Sequence, residues 1–317
     1  MKNIRKFDTT AEMESAVLED VSINYNVETG GMVVVNKPSI IDYSTIYATF
    51  EALEDGTFSF NKKATSDDIQ YSMDNGSTWA SLVSGETVSV VTGDKVMWKS
   101  TITPSKLFGI GYFSSSNKFN VSGNIMSLLY GDDFKGQTSL EGKDGAFARL
   151  FNSGLIDASN LILPATTLAK SCYEGMFNSC PSLTKAPELP ATTLASSCYL
   201  TMFSGCTSMT TAPVLPATTL ADRCYYGMFR GCTSLTTAPE LHATTLVSGC
   251  YNNMFRSCTS LNRITMLATD ISANNCLLDW VYNVSSTGTF VKHPDMTSLP
   301  YGESGIPKNW TVEVAVL

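Results

Sequence analysis

The chain has 317 residues, of which 43% are hydrophobic and 16% are charged, and its formal net charge is -8. This length allows two domains with their own cores, and the hydrophobic content excludes a disordered chain. The acidic balance argues against nucleic acid or an anionic membrane surface as a partner. No stretch approaches the ~20 apolar residues that a membrane-inserted helix requires.

Residues 1–45 are predicted to form a docking segment. The basic residues after Met1 are not followed by an apolar stretch, so we expect no Sec-type export signal. A capping Thr9 begins an apolar pattern of helical spacing, and two strands are predicted around Gly30-Gly31. The segment is too small for its own core, so we expect a partner to order it. Its candidate docking residues are Phe7, Val17, Leu18, Tyr25, Val33 and Val35.

Residues 46–124 alternate apolar and polar side chains between turn signals. Asn75-Gly76 separates two such runs, and Asn-Gly between alternating segments is typical of a β-hairpin. Turn signals about every ten residues predict an antiparallel β-sandwich, immunoglobulin-like in the broad sense. Trp79 and Trp98 are interpreted as core residues rather than binding aromatics.

A repeat of 26 residues dominates residues 125–317. The heptapeptide that starts at Leu163 recurs from Leu189, from Leu215 and, in a variant form, from Leu241. One such unit cannot bury its apolar face alone, whereas stacked units share a core. The fold class predicted for the whole chain is therefore mainly β plus an α/β solenoid, with N- and C-terminal caps on the solenoid.

Each unit is predicted to contain a short helix and a short strand. One apolar stripe per unit has helical spacing, with Thr166 or Thr167 as its N-cap in the first unit. That stripe consists of Cys172, Tyr173, Met176, Phe177 and Cys180. Residues 182–187 predict a short strand that ends at proline.

All nine cysteines follow the repeat. On a helix, Cys172 and Cys180 are about 12 Å apart, beyond the ~7 Å limit for a disulfide. Zinc requires closely spaced Cys and His ligands, whereas His242 and His293 are isolated. We therefore expect reduced thiols in the core, and neither a metal nor a cofactor.

Motifs of catalysis are missing from the sequence. Gly109 and Gly111 begin a dinucleotide-type pattern, but Ser114 stands where its third glycine belongs. The acidic stretch from Asp132 to Asp144 could hold calcium, although a solvated loop is the favoured interpretation. Two histidines leave little general acid–base capacity near neutral pH. We therefore expect that the protein is not an enzyme.

The repeat resembles a known family. The segment from Met202 to Pro213 contains Met-Phe, Gly-Cys and Ala-Pro, and the unit before it contains Pro-Ser-Leu where this one has Thr-Ser-Met. This pattern is similar to the bacterial leucine-rich repeats of the BspA-like type, although the period of 26 is slightly longer than is common there. The resemblance implies a curved solenoid that works as an extracellular binding module, often an adhesin, with no catalytic residues to carry over.

The first 45 residues are similar to short N-terminal modules in structural proteins of phages and prophages of anaerobic gut bacteria. The two resemblances together imply a non-enzymatic virion protein, of the decoration, fibre or adhesin type, at the virion surface. It would dock on virion structural proteins through residues 1–45 and attach to a host protein or glycan through the repeats. A homotrimer is one assembly open to it. The alternatives are a BspA-like adhesin or substrate-capture protein at the bacterial cell surface, and a hydrolase with an unrecognised site.

Comparison of the units with one another separates constant core positions from variable ones. Variable positions exposed on a repeat array are where such proteins contact ligands. Neutral drift on a plain solvated face produces the same variation, so both interpretations stay open. The candidate ligand surface consists of Glu174, Leu200, Tyr226, Asn252, Arg230, Arg256, Lys185 and Arg263.

Overall fold

The computed structural model describes residues 21–26, 31–36, 41–62, 69–105, 109–296 and 299–316. The chain divides into two compact units, residues 1–42 and residues 43–317. Across the described residues the protein is mainly β-structure, with few helices and several sheets, none of which is closed.

The described part of the first unit is one hairpin. Strand β1 (Val21–Asn26) pairs antiparallel with β2 (Gly31–Asn36), and Tyr25 lies opposite Met32. The prediction of two strands in this segment is therefore confirmed. The helical pattern that begins at Thr9 lies outside the described residues.

Two sheets form the N-terminal half of the second unit, after a 3-10 helix at Tyr43–Thr45. One sheet has the strand order β11-β10-β3-β8-β5-β6 and the other β7-β4-β9. Every pairing in these two sheets is antiparallel except that of β10 with β11, which is parallel. The strands are β3 (Ala48–Ala52), β4 (Gly56–Lys62), β5 (Ile69–Ser72), β6 (Ala80–Leu82), β7 (Thr87–Val90), β8 (Lys95–Lys99), β9 (Gly111–Ser115), β10 (Phe119–Asn124) and β11 (Leu155–Ile162).

The period-2 pattern of the sequence explains which faces of these strands are buried. Phe58 and Phe60 of β4 are buried while the residues between and beside them are not. Asn75 and Gly76 have φ of 62° and 84° in the turn between β5 and β6, so the predicted hairpin is confirmed. The core prediction is confirmed for Trp98, which is fully buried. Trp79, in contrast, is half-buried and lies beneath the Lys99 ammonium, 4.2 Å from the ring centroid.

The 26-residue units follow a short helix α1 (Ser127–Tyr130) and a 3-10 helix at Gly131–Phe134. Most of the predicted strand of each unit is reduced to a parallel bridge, as between Asp157 and Lys185 or between Thr211 and Thr237. At the C-terminal end these bridges widen into a parallel sheet with the order β12-β13-β14. Its strands are β12 (Arg263–Met266), β13 (Thr289–Lys292) and β14 (Thr311–Val314).

The prediction of a short helix in each unit is wrong. Residues 171–180 form consecutive turns in which every fourth residue is left-handed, with φ of 54° at Ser171, 58° at Gly175 and 60° at Ser179. The apolar pairs repeat every 4.0 residues rather than 3.6, so they fit a four-residue turn better than an α-helix. Consequently no helix follows Thr166 or Thr167 that either could cap.

Backbone hydrogen bonds alternate between the turn and the next unit. The Met176 N–H donates to the Tyr173 carbonyl within the turn, at 3.2 Å. The Phe177 N–H donates instead to the Met202 carbonyl of the following unit, at 2.9 Å. An α-helix would use both donors internally and leave none for its neighbour. We call each such segment a turn run, defined by residues 171–180 and its equivalents 26 residues apart.

The aromatic residues of the turn runs stack between units. Tyr173 lies over Tyr199 with ring centroids 5.8 Å apart, and Phe177 lies over Phe203 at 5.4 Å with an interplanar angle of 1°. Both columns are buried. The 26-residue spacing of the sequence therefore brings equivalent residues into contact.

The left-handed positions allow a test of the turn-run geometry. Thr201 has φ of 51°, whereas its equivalents Gly175 and Gly227 are glycine. A non-glycine residue loses roughly 1–2 kcal/mol in this conformation, more than the entropy that glycine costs. We expect Thr201→Gly to raise the free energy of unfolding by about 1 kcal/mol in urea denaturation.

The control for this substitution is Thr210→Gly. Thr210 is exposed and is not left-handed. Glycine at this position lowers the stability because it increases the conformational entropy of the unfolded chain. In a helix, Thr201→Gly would also be destabilising. A loss of stability in both variants would therefore contradict the turn run.

Candidate functional site

The eight candidate ligand residues belong to two different segments of the repeat. The larger group, which we call the turn surface, lies in the turn runs and comprises Glu174, Leu200, Tyr226, Asn252, Arg230 and Arg256. Hydrogen bonds bring neighbouring members together, since the Leu200 carbonyl accepts from Gly175 and the Tyr226 carbonyl accepts from Thr201, both at 2.8 Å. Lys185 and Arg263 belong to the parallel bridges instead.

Tyr226 is the aromatic member of the turn surface. It is half-buried, and its hydroxyl accepts a hydrogen bond from Asn253 Nδ2 at 3.3 Å. The same amide nitrogen donates to Asn252 Oδ1. Asn252 is only 7% exposed, so the expectation of a solvent-facing residue is wrong at this position. The Asn253 amide therefore links the Tyr226 hydroxyl to the buried Asn252 side chain.

The arginines of the turn surface differ in how far they are engaged. Arg256 donates to Asp279 at 2.9 Å, and its guanidinium lies 4.2 Å from the Tyr282 ring centroid. Arg230 is exposed and forms no ion pair with any residue that the structure describes. Glu174 is partnered by Arg149 at 3.5 Å. Arg230 is therefore the charge on this surface that is open to a ligand.

Lys185 and Arg263, the bridge surface, are both paired within the protein. Lys185 Nζ lies 3.0 Å from Asp157 Oδ2, and Arg263 Nη2 lies 3.6 Å from Glu313 Oε2. Burial disfavours the charged form of Asp157, but hydrogen bonds from Ser159 and Lys185 outweigh it and hold the pKa of this carboxyl below its usual value. Lys185 therefore joins neighbouring strand positions of the ladder, and Arg263 of β12 reaches across β13 to β14.

The acidic stretch begins with Asp132, whose carboxylate is already bound by other side chains of the protein. Asp132 accepts hydrogen bonds from Lys99 at 2.8 and 3.0 Å and from the Tyr47 hydroxyl at 2.7 Å. The bond from Lys99 is the main cause that lowers the pKa of Asp132, while burial, reinforced by Asp132, raises the pKa of Tyr47 to about 12. In the described ranges no group of three or more His, Cys, Asp and Glu side chains is arranged to hold a metal ion.

The candidate docking residues fall partly in the hairpin. Tyr25 is in β1, and Val33 and Val35 are in β2, paired with Asn24 and Ser22. The remaining candidates, Phe7, Val17 and Leu18, lie outside the described residues.

All nine cysteines are buried and unpaired, which confirms their predicted place in the core. In three successive units a thiol donates to a phenylalanine carbonyl of the preceding unit: Cys206 to Phe177 at 3.3 Å, Cys232 to Phe203 at 3.2 Å and Cys258 to Phe229 at 3.0 Å. Burial raises the pKa of Cys232 to about 12. Because the thiolate is the nucleophile, such thiols are chemically inert near neutral pH.

One pocket was not indicated by the sequence patterns. It has a volume of about 510 Å³ and lies between residues 281–286 and residues 301–309, at the end of the last turn run, residues 275–284. These segments are rich in Pro, Gly, Ser and Asn, which predict turns whether or not a ligand binds there. Its lining residues are Val281, Asn283, Val284, Ser285, Ser286, Tyr301, Gly302, Glu303, Pro307, Lys308 and Asn309.

A membrane-crossing helix, which needs length and apolar character together, does not occur in the ranges that the structure describes. Comparison of the chain with protein-family models, with curated proteins and with solved structures finds no match. Its function therefore has to be argued from the surfaces described above.

The buried thiols predict how stability depends on pH. The pKa of Cys180 and of Cys232 is raised from 9.0 to about 12 in the folded protein, so between these values only the unfolded chain loses the proton. We expect the free energy of unfolding to be constant up to about pH 8 and to fall above about pH 9, by up to about 1.4 kcal/mol per pH unit for each thiol.

Urea unfolding at about pH 8 and about pH 10.5 measures this loss. Cys180→Ala should show a smaller loss than the parent chain, because one titrating thiol is gone. A free energy of unfolding that is the same at both pH values would contradict burial of the thiols.

Proposed function

We propose that this protein is a non-enzymatic virion protein of the decoration, fibre or adhesin type. In this proposal, residues 1–45 dock on other virion proteins, and the 26-residue units present a binding surface to the host cell. The units form a BspA-like leucine-rich-repeat solenoid, and the sheets that precede them form an immunoglobulin-like sandwich. The protein is located at the virion surface.

The solenoid is supported by the hydrogen bonds between units. The same bond recurs down the chain, from Tyr173 to Cys198 and from Tyr199 to Cys224, at 3.0 Å in each case. A unit that donates to its successor and accepts from its predecessor can be extended indefinitely, which is the defining property of a solenoid.

The sandwich is supported by aromatic contacts between the two sheets. Phe50 of β3 lies 5.5 Å from Phe58 of β4 and 4.6 Å from Phe113 of β9, between ring centroids. Phe50 is in the six-stranded sheet and the other two are in the three-stranded sheet. Two sheets of mainly antiparallel strands that share one core are the basis of this architecture.

The observation that carries the binding role is the presence of Tyr226 and Arg230, one turn apart, in the same hydrogen-bonded turn run. The ring is held by Asn253 and the guanidinium is unpaired among the described residues. Tyr and Arg are the residue types most enriched at the centres of protein interfaces. Because hydrogen bonds between units fix the backbone beneath them, little order has to be gained on binding.

A docking role for the N-terminus is supported by the division of the chain into two compact units. Residues 1–42 form a compact unit of their own, and their described part is a two-stranded hairpin. An isolated hairpin is marginally stable in water. A partner such as a neighbouring virion protein, or further copies of this chain in a homotrimer, would supply the missing contacts.

The second candidate function is that of a BspA-like adhesin or substrate-capture protein at the bacterial cell surface. The turn surface serves this role equally well, and the family resemblance lies in the units rather than in residues 1–45. The two candidates differ in what the N-terminal unit does.

Deletion of residues 1–42 distinguishes these candidates. We expect the truncated protein to remain folded with an unchanged melting temperature, because the deleted residues are a separate compact unit, but to be lost from assembled particles. Incorporation is measured by immunoblotting purified particles, and the full-length Val33→Asp, Val35→Asp variant provides an independent check. Normal incorporation of both variants would overturn the docking role and favour the cell-surface adhesin.

Substitution of the turn surface tests the binding role. We expect the Tyr226→Ala, Arg230→Ala variant to bind host cells at least about tenfold more weakly, since truncating such anchors costs upwards of ~1.4 kcal/mol. Cell binding is measured by flow cytometry with labelled protein. Lys95→Ala, an exposed cation in β8, is the matched control and should bind as the parent does. Equal binding by all three proteins would show that the turn surface is not the contact.

A further inference from the structure

The pocket at the end of the last turn run is built between two walls. One wall is formed by residues 281–286 and the other by residues 301–309, and the volume between them is about 510 Å³. This volume is within the range of about 300–1,000 Å³ that is typical of small-molecule sites. None of its lining residues belongs to the turn surface.

Two buried tryptophans hold these walls in place. Trp280 Nε1 donates to the Gly305 carbonyl at 2.8 Å, and Trp310 Nε1 donates to the Ser285 carbonyl, also at 2.8 Å. The indole rings are 0% and 4% exposed. Each bond joins positions that are 25 residues apart, so both walls are fixed to the core before any ligand arrives. A preformed pocket loses little conformational entropy on binding.

The polar side chains that line the pocket are not used by the protein. Within the described ranges none of them forms a side-chain hydrogen bond or an ion pair. Groups of this kind are available to a ligand that offers both donors and acceptors. They belong to Asn283, Ser286, Tyr301, Glu303, Lys308 and Asn309.

Tyr301 adds an apolar surface to this polar lining. Its side chain is 62% exposed at the pocket, although large aromatic side chains are more often buried. A tyrosine ring combines an apolar face with a polar tip. It suits a ligand that carries C–H groups on one side and hydroxyl groups at its edge.

The charges of the pocket exclude a strongly charged ligand. The lining contains one acidic residue, Glu303, and one basic residue, Lys308, so its formal net charge is zero at neutral pH. A net anion or cation would gain from one and be repelled by the other. A neutral ligand can accept a hydrogen bond from the ammonium and donate one to the carboxylate.

We propose that this pocket binds a neutral saccharide. Sugar hydroxyls both donate and accept, as the amides, Ser286, Glu303 and Lys308 require, and the C–H face of a sugar ring packs on Tyr301. The inference rests on the proposed role in host attachment and names the ligand class. It also assigns glycan recognition to the C-terminal end of the repeats, away from the turn surface.

The test uses the full-length protein and an array of immobilised neutral di- and trisaccharides, among them lactose, maltotriose and chitotriose, with sialylated and sulfated glycans alongside. Hits are quantified by isothermal titration calorimetry. Tyr301→Ala removes the ring, and Asn309→Gly removes an amide while keeping the left-handed backbone, where φ is 66°. Tyr226→Ala is the matched tyrosine control on the turn surface.

We expect a neutral saccharide to bind the parent protein and Tyr226→Ala equally, and to bind Tyr301→Ala and Asn309→Gly at least tenfold more weakly. Binding of acidic glycans alone, no binding at all, or equal binding by the parent and both pocket variants would overturn the proposal. Cell binding that is lost in the turn-surface variant while no saccharide binds would overturn this inference and leave the proposed function standing. Saccharide binding without cell binding would overturn the proposed function and leave this inference standing.

Discussion

The repeat region of the protein depends on backbone hydrogen bonds that run from each 26-residue unit to the next. They exist because the turn runs divide their donors, so that Met176 bonds within its own turn and Phe177 bonds across to Met202. This division requires a left-handed residue at every fourth position, at a cost of roughly 1–2 kcal/mol for each that is not glycine. The cost is tolerated because the same geometry places apolar pairs face to face between units. Backbone ladder and side-chain core therefore form together or not at all.

The ladder also decides which residues are available for function. It buries every cysteine and raises the pKa of thiols such as Cys180, which removes the most reactive side chains of the chain from chemistry. It stacks the tyrosines and phenylalanines into columns that no ligand can reach. What is left outside is a set of side chains on a stiff backbone, of which Tyr226 and Arg230 are the best placed to contact a partner.

The end of the ladder is different, because the last turn run, residues 275–284, bonds to a segment that is not another turn run, as where the Val281 N–H donates to the Glu303 carbonyl at 3.1 Å. Trp280 and Trp310 hold the segments at this end in place through their indole N–H groups. The protein thus closes its core with two large side chains, and the space left between the anchored segments is the pocket. On this view the pocket is a consequence of how the repeat ends, and the turn surface is a consequence of how it continues.

The sequence by itself determined the features that depend on local pattern. The 26-residue period, the burial of the cysteines and the hairpin at Asn75-Gly76 could all be predicted, because each follows from spacing or from a residue's own backbone preference. The position of Trp98 in the core followed from strand alternation in the same way.

Only the tertiary structure decided between helix and turn run. Apolar residues at i, i+1, i+4, i+5 and i+8 are compatible with a helix and with a turn run. The turn run forms because stacked units offer hydrogen-bond partners that an isolated unit lacks. The half-burial of Trp79, the burial of Asn252 and the pocket beside Tyr301 were beyond prediction for a related reason. Each is set by groups distant in the chain, namely Lys99 for Trp79, the neighbouring units for Asn252, and two tryptophan anchors for the pocket.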